Sequence, residues 1–487
     1  MTNDYRLMHK LLLPLLFICN LAFGQPPSRF YTKFGGNGID VGYSAKPTLD
    51  GQYIIAGSTS SYGAGNTDVY LVKLDSMGNT LWEKTFGGFL NDVGKAVIQV
   101  ADSGYFIAGF TNSYGAGGYD AYIIRTDKMG NLVWQKTYGG LDWDFATDLV
   151  RTPDGDIAIV GNTSSYGGGK KDGFIVKYDY LGNLIWQKYM GGTEDDELKA
   201  IIVTNDNFLA AVGYTQSKGD VNGDCYFAKY NLNGDTLFTK TFGGAYKDYA
   251  NDLVQKINGD YVICGANTYS LGAKTSSYMY SINSTGVFLW DILYQYDSNL
   301  NEEVSSNCNV SYQTSFTANI RNIVIPGLKT QALVTINSYG GYHYKGNDSG
   351  GNSDDYTYSI ERTIDGGYIE VGTTNSFGAL NGDVYFLRRD TSLINYTSII
   401  GIKNNESINN NFSISYADNN QIMIKDLSQS ELIYEIKIYS IEGKEILNRK
   451  SINEDKIKVD LFDLPQSIYL LDIKTKNNLY HFKIIKK

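Results

Sequence analysis

Aspartate recurs in this sequence at a fixed offset from a glycine pair. Asp40, Asp92, Asp144, Asp196 and Asp248 each stand four residues beyond a Gly-Gly. Asp355 repeats the arrangement after Gly350-Gly351, and Glu302 stands near the matching place in a copy that lacks the glycines. Carboxylates gathered in this way can hold a cation or supply a general acid and base. They can equally accept hydrogen bonds from backbone N–H groups of their own turns, and a residue needed in every copy more often serves the copy itself. A second series, Asp68, Asp120, Asp172, Asp224 and Asp383, is open to the same two readings.

Other chemistry is sparser. Ser-Tyr-Gly loops carry Tyr62, Tyr114 and Tyr166, with Phe377 in the matching place, and Trp143 occurs in one Gly-Gly loop only. Flat rings beside hydrogen-bonding neighbours suit a sugar or peptide ligand; the alternative is that the rings wedge between repeats. Asp220, Asn222 and Asp224 have a D-x-N-x-D spacing that can present three oxygens to Ca²⁺. Cys225 takes the place of the EF-hand glycine, however, and Asn231 that of its glutamate. No other cofactor is indicated. The degenerate copy offers Glu302, Glu303, Arg321, His343 and Tyr344. His343 and His481 are the only histidines beyond the leader, which leaves Ser-His or Cys-His catalysis almost no material.

The elements that must position these residues follow from the repeat. Gly-Gly recurs at 35, 87, 139, 191 and 243, a spacing of 52 residues that marks stacked supersecondary units. Each unit holds four runs rich in Val, Ile, Tyr and Phe, bounded by Gly, Asn and Asp, so each is a four-stranded antiparallel sheet. Asp68 to Leu74 is apolar toward both faces, and such a sheet must be sandwiched between neighbours, as blades are in a β-propeller. One eroded copy fits between Gly244 and Gly351. The last copy lacks a fourth strand, and Arg29 to Phe34 resembles the fourth strand Trp82 to Phe86. Residues 29–392 span seven repeat lengths. The expectation is an all-β chain with a seven-bladed propeller, its last blade closed by the N-terminal strand. The acids should then ring one mouth of the central channel, on the face that carries the tyrosine loops. The repeat resembles a propeller-type repeat of secreted proteins of Bacteroidetes-like bacteria, and this resemblance implies fold and compartment only.

The N-terminus sets the compartment. Lys10 precedes an apolar run from Leu11 to Phe23, and Ala22-Phe23-Gly24 offers a cleavage site before Gln25. Residues 1–24 read as a signal peptide, with Met8 as an alternative start; a lipoprotein reading through Cys19 is weakened by Ile18. No later stretch is apolar enough to span a bilayer as a helix. The net charge of −10 argues against nucleic acid as a partner. Cys225, Cys264 and Cys308 are an odd set for an exported chain; Cys264 stands where Ala56 and Ala108 stand, the place of a buried free thiol.

Beyond an Asn-rich linker (393–411) the glycine period stops and short alternating strands follow, reading as a small β-sandwich over 412–487. Ile438-Tyr439-Ser440-Ile441-Glu442-Gly443-Lys444 and Leu461-Phe462-Asp463-Leu464-Pro465-Gln466-Ser467-Ile468-Tyr469 occur in order before the terminus Lys486-Lys487. These segments resemble the type A C-terminal sorting domain of type IX secretion. Ser467 departs from the family's glycine, and its Asn-Pro motif near the domain start is absent. The resemblance implies that Tyr439, Gly443, Lys444, Leu464, Pro465 and Tyr469 form the sorting motif. It also implies the type IX machinery as partner, and release or attachment at the outer-membrane surface after passage through the periplasm.

Three functions fit: a secreted or surface protein that binds a glycan or protein without catalysis, a propeller-fold polysaccharide hydrolase or lyase, and a structural surface adhesin. The absence of an asymmetric catalytic set favours the first.

Overall fold

The computed structural model describes residues 30–268, 275–294, 300–310, 313–322, 329–337, 342–345, 355–375 and 381–389, and in the C-terminal part 412–418, 421–426, 432–440, 445–454, 456–461, 467–476 and 479–486. The leader, the linker, Phe377, Gly443, Lys444, Leu464 and Pro465 lie outside these residues. So do the side chains of Glu302, Glu303, Cys308, Arg321, His343, Tyr344, Asp355, Tyr439, Tyr469 and His481. The chain divides into two compact units, Met1–Leu393 and Ile394–Lys487.

Every regular element described is a strand. The first unit contains seven four-stranded antiparallel sheets. Blade 1 is typical, with Asp40–Pro47, Tyr53–Thr59, Asp68–Leu74 and Thr80–Phe86 paired in that order. Blade 6, eroded in sequence, still forms four strands, Leu300–Val310, Gln313–Asn322, Lys329–Asn337 and Tyr342–Lys345. Blade 7 takes three strands from Asp355–Arg362, Tyr368–Thr374 and Asp383–Arg389, and its fourth, Phe30–Phe34, from the other end of the repeats. Phe30 lies opposite Arg388 and Phe34 opposite Val384. The first strands pack on one another from blade to blade, and the seventh packs on the first. The fold is a seven-bladed propeller with the first strands innermost.

Burial explains why the blades cannot stand alone. The second and third strands of blade 1 are buried along their whole length, while its fourth strand alternates toward solvent. Ile54, Ala56, Val69 and Leu71 of blade 1 share one core with Val97, Tyr105, Ile107, Tyr122 and Ile124 of blade 2. Each such side chain contributes about 1.5–3 kcal/mol when fully buried, and here that contribution exists only between neighbours.

One irregularity recurs in every blade. The innermost strand bulges three residues after its first acid, at Tyr43, Lys95, Thr147, Lys199, Asn251, Ser305 and Tyr358, each the extra residue at a shift of register. A bulge bends its strand and re-aims the extra side chain. It also drives backbone toward the second strand: a Cβ on Gly57 would sit 1.8 Å from the Val41 carbonyl oxygen, and one on Gly109 1.8 Å from that of Val93. Only glycine fits there, which accounts for the glycine ending the Tyr53-to-Gly57 run in copy after copy. Glu302 stands three residues before the blade 6 bulge, the register that aspartate holds elsewhere.

The second unit contains a three-stranded sheet and a four-stranded sheet. Ile424, Ile457 and Val459 from the first meet Ile433, Ile436, Ile438, Leu471 and Ile473 from the second in one core, a sandwich.

Candidate functional site

The repeated acids do not open onto the channel. Asp40, Asp92, Asp144, Asp196 and Asp248 head the innermost strands around the channel, but they are fully buried beneath their own Gly-Gly loops, so they serve their own turns and present no open ring of carboxylates. Asp92 shows why. Its Oδ2 accepts the Gly88 N–H at 2.8 Å and the Ser113 hydroxyl at 2.7 Å, so one carboxylate ties the Gly-Gly loop to the Ser-Tyr-Gly loop. Asp40, Asp144 and Asp196 do the same with Gly36 and Ser61, Gly140 and Ser165, Gly192 and Ser217. Asp68, Asp120 and Asp172 accept N–H bonds from their own loops, at Ala64, Ala116 and Gly168. Burial pushes these three carboxyls upward, and the aspartate of the next blade adds to it. Asp383 accepts Lys33 Nζ at 2.8 Å across the closing strand.

The loop tyrosines complete this latch. The Tyr62, Tyr114 and Tyr166 hydroxyls donate to the Gly35, Gly87 and Gly139 carbonyls at 2.9, 2.8 and 2.7 Å. Both loop sets therefore share one face, while the tyrosine rings lean on Tyr70, Tyr122 and Tyr138 and keep one edge exposed.

In the blade 4 loop the three oxygen-bearing residues serve backbone instead of converging. Asp220 Oδ1 accepts the Asn222 N–H, the Asn222 amide donates to the Ala245 carbonyl, and Asp224 Oδ2 accepts the Asp220 N–H. Among the described residues no group of three or more His, Cys, Asp or Glu side chains is placed to hold a metal ion. Cys225 and Cys264 are buried free thiols whose pKa burial raises well above the usual value.

What does not repeat lies in the channel. Lys46 of blade 1 feels Asp148 of blade 3 and Asp252 of blade 5, and Lys95 of blade 2 feels Lys199 of blade 4. These blades are not neighbours in the ring, so the side chains share the central space. At the end near the Gly-Gly loops, Lys95 Nζ lies 3.6 Å from the centre of the Tyr43 ring. Tyr43 packs on Tyr358 at 5.0 Å, and Tyr358 stacks on Tyr356 with planes 6° apart. Glu197 accepts Lys199 at 3.1 Å and Lys171 at 3.0 Å. Burial, helped by Lys199, pushes the Lys95 ammonium down to about 7. Toward the other end Lys46 is bound to Glu361. Burial would lower its pKa, but Glu361, Asp148 and Asp252 together raise it. Burial pushes the Asp148 carboxyl up to about 7 against the pull of Lys46.

The rim around the Lys95 end is uneven. Phe89, Leu141 and Trp143, on the Gly-Gly loops of blades 2 and 3, are 85%, 82% and 58% exposed, with Ile39 and Leu90 beside them in sequence order. Trp143 caps a ring cluster with Tyr119 and Phe145, and Phe110 packs edge-on against Phe145. The matching loop of blade 4 carries Thr193, Glu194 and Asp195 instead. An apolar arc thus adjoins a channel mouth lined by tyrosines and lysines, the mixture that ligand sites use.

Trp143 was singled out by its rarity; Tyr43, Lys95, Lys199, Glu197 and Tyr358 were missed. The available signal was variation. The third residue after each repeated acid reads Tyr, Lys, Thr, Lys, Asn, Ser, Tyr around the ring, within copies that agree at the acid before it.

Comparison with known proteins finds a family match in each unit. Residues 408–487 match the secretion system C-terminal sorting domain family, and residues 49–80 match a domain of unknown function (DUF5122) described as a beta-propeller. The regulatory protein FlaEY of Caulobacter vibrioides is 26% identical over 44% of this chain, which spans a quarter of that protein's length. Among solved structures, PorZ, a surface component of the type IX secretion system of Porphyromonas gingivalis, has a TM-score of 0.44 at 10% identity, covering 93% of this chain and 60% of PorZ. The polysaccharide lyase Uly1 has a TM-score of 0.45 at 11% identity, covering 73% of this chain and 90% of the lyase. The chain is a propeller protein whose sorting domain directs it through type IX secretion to the cell surface or the extracellular space. Among the described residues no helix is long and apolar enough to cross a membrane.

Proposed function

We propose that this chain is a secreted or surface-displayed binding protein that takes an extracellular ligand, a glycan above all, at the mouth of the propeller channel on the Gly-Gly face. One observation carries the reading. The polar groups that repeat are spent on backbone, whereas the bulge positions change from blade to blade, and those of Tyr43, Lys95, Lys199 and Tyr358 bring unlike side chains together. A site built for one asymmetric ligand needs such unlike groups, and a symmetric scaffold does not. Stacked tyrosines offer faces for sugar rings, and the apolar arc of blades 2 and 3 extends that surface outward.

The test is binding of the full chain, freed of its leader, to an array of immobilised polysaccharides. Saturable binding to one glycan class, weakened at least tenfold in Tyr43→Ala and Tyr358→Ala, is the expected result. Binding that survives both substitutions removes the channel from the reading. An enzymatic alternative rests on Lys95, whose amine is partly unprotonated near neutral pH, as a general base requires. It predicts shortened, soluble sugar products from the bound polymer, lost in Lys95→Met.

A further inference from the structure

Lys95 is only partly buried, in a position where a lysine ordinarily keeps a counter-ion. Among the described residues no carboxylate is paired with it; its near neighbours are the Tyr43 ring and a second cation, Lys199. Lys199 in turn shares its one carboxylate, Glu197, with Lys171. Among the described residues Glu197 is thus the carboxylate ion-paired with Lys199 and Lys171, and none is ion-paired with Lys95. A lysine set beside a second cation, on a bulge that re-aims its side chain, requires a reason. A partly desolvated cation beside another cation is costly to keep, and an incoming anion offsets that cost.

We propose that Lys95 and Lys199 form an anion subsite that receives a carboxylate or sulfate group carried by the ligand, with the rings of Tyr43 and Tyr358 beside it. This rests on the reading of the channel as the ligand seat and adds the chemistry that the ligand must bring. The charged end explains the tyrosines as well: rings that flank an anionic group stack on the sugar that bears it.

Proton uptake follows. Lys95 is pushed to about 7 by burial and by Lys199, and an anion at the subsite favours its charged form. The other titratable groups of the surrounding inner strands act differently. Tyr43 is raised by burial and stays neutral at these pH values. Glu197, despite burial, is lowered by Lys199 and Lys171 and stays ionised. Lys46 is held charged by Glu361 and its neighbours. Asp148, at about 7, titrates in the same range, but its oxygens already accept the Leu149 and Ile201 N–H groups at 2.8 and 2.9 Å. An arginine in place of Lys95 separates the two, because it remains charged throughout.

The experiment uses the full chain without its leader and three soluble probes: polygalacturonate for carboxylate, dextran sulfate for sulfate, and neutral dextran. Binding is measured by calorimetry at pH 6 and pH 8, in buffers of different ionisation enthalpy. One charged probe should bind in preference to dextran, about tenfold more tightly at pH 6 than at pH 8, with uptake of a proton. Lys95→Met should lose at least tenfold in affinity while keeping its melting temperature. Lys95→Arg should bind with the pH dependence gone. Four results overturn the proposal: neither charged probe binds, dextran binds as well as they do, Lys95→Met binds unchanged, or Lys95→Arg keeps the pH dependence. If neutral glycans bind in a Tyr43-dependent way while the charged probes do not, the anion subsite fails and the channel reading stands. If binding ignores Tyr43 and Tyr358 as well, both fail.

Discussion

The loop latch and the channel lining are built from adjacent residues of the same strands, yet they obey opposite rules. Asp92 opens its strand and repeats as Asp40, Asp144, Asp196 and Asp248; Lys95, three residues on, is tyrosine, threonine, lysine and asparagine in the same copies. Asp92 is fully buried and its Oδ2 accepts two hydrogen bonds, whereas Lys95 has a ring and a like charge for company. In a repeat protein the scaffold must be solved identically in each copy, because each blade buries its faces only against the next. A ligand site needs the copies to differ. Repetition therefore marks what holds the blades, and variation inside an otherwise fixed repeat marks what they are used for.

The sharpest way to break this comparison is to attack the device that connects its two halves. The bulge that projects Lys95 exists because Gly109 lets the Val93 carbonyl approach. In Gly109→Ala the new methyl would overlap that oxygen, and the bulge must shift or the blade must open. We expect a loss of about 3 kcal/mol or more, read as a large fall in melting temperature, with ligand binding lost alongside. A mild effect on stability would mean that bulge and glycine are independent.

Next in size is the latch itself. Asp92→Ala removes the acceptor of the Gly88 N–H and the Ser113 hydroxyl and leaves both without that partner in a closed site. A cost of about 2 kcal/mol is expected by urea unfolding, with affinity for the channel ligand unchanged in the folded fraction. If binding falls while stability holds, the acid belongs to the site and the division drawn above is wrong.

Among blades 1 to 5 the latch is weakest in blade 5, and pH exposes it. Asn267 lies opposite Asp248 where Thr59, Thr111, Thr163 and Thr215 lie opposite the other acids, and Tyr269 takes the place of their loop serine in the sequence. Burial, helped by Asp224, pushes Asp248 up to about 6. A carboxyl raised in the folded state keeps its proton after the unfolded chain has lost it, so its contribution to stability is full below about pH 4 and is lost as pH rises through about 6. Asp248→Asn should remove this fall: the melting temperature of the variant relative to the parent should rise between pH 4 and 7 and then level off. A difference that is flat across that range would show that blade 5 is latched like its neighbours.

Much of this scaffold was legible in advance because it is periodic. The 52-residue spacing, the two-faced apolar strands and the orphan strand before Gly35 suffice for seven blades and their closure. The burial of the acids was not legible, since a Gly-Gly-x-x-x-Asp string does not reveal that the serine 21 residues later will cover the carboxylate. Nor was the channel. A period-2 reading of Asp92 to Gln99 cannot place a bulge at Lys95, and one extra residue in a strand changes which side chains share a face. Asp220, Asn222 and Asp224 carry two readings for a related reason: the spacing of a calcium loop is also the spacing of a turn whose side chains cap its own backbone.

The finest test of the comparison is a single oxygen. The Tyr114 hydroxyl reaches the Gly87 carbonyl at 2.8 Å while its ring edge stays open to solvent, so the residue belongs by contact to the latch and by exposure to the rim. Tyr114→Phe keeps the ring and deletes the bond. If the residue is latch, stability falls by about 0.5–1.5 kcal/mol and ligand affinity is unchanged; Tyr114→Ala then lowers stability further, because the packing on Tyr122 is lost too, and still spares binding. If the ring is a ligand platform, the phenylalanine variant binds as the parent does and the alanine variant does not. The two substitutions together thus decide on which side of the latch this tyrosine falls, and with it Tyr62 and Tyr166, whose hydroxyls make the same bond.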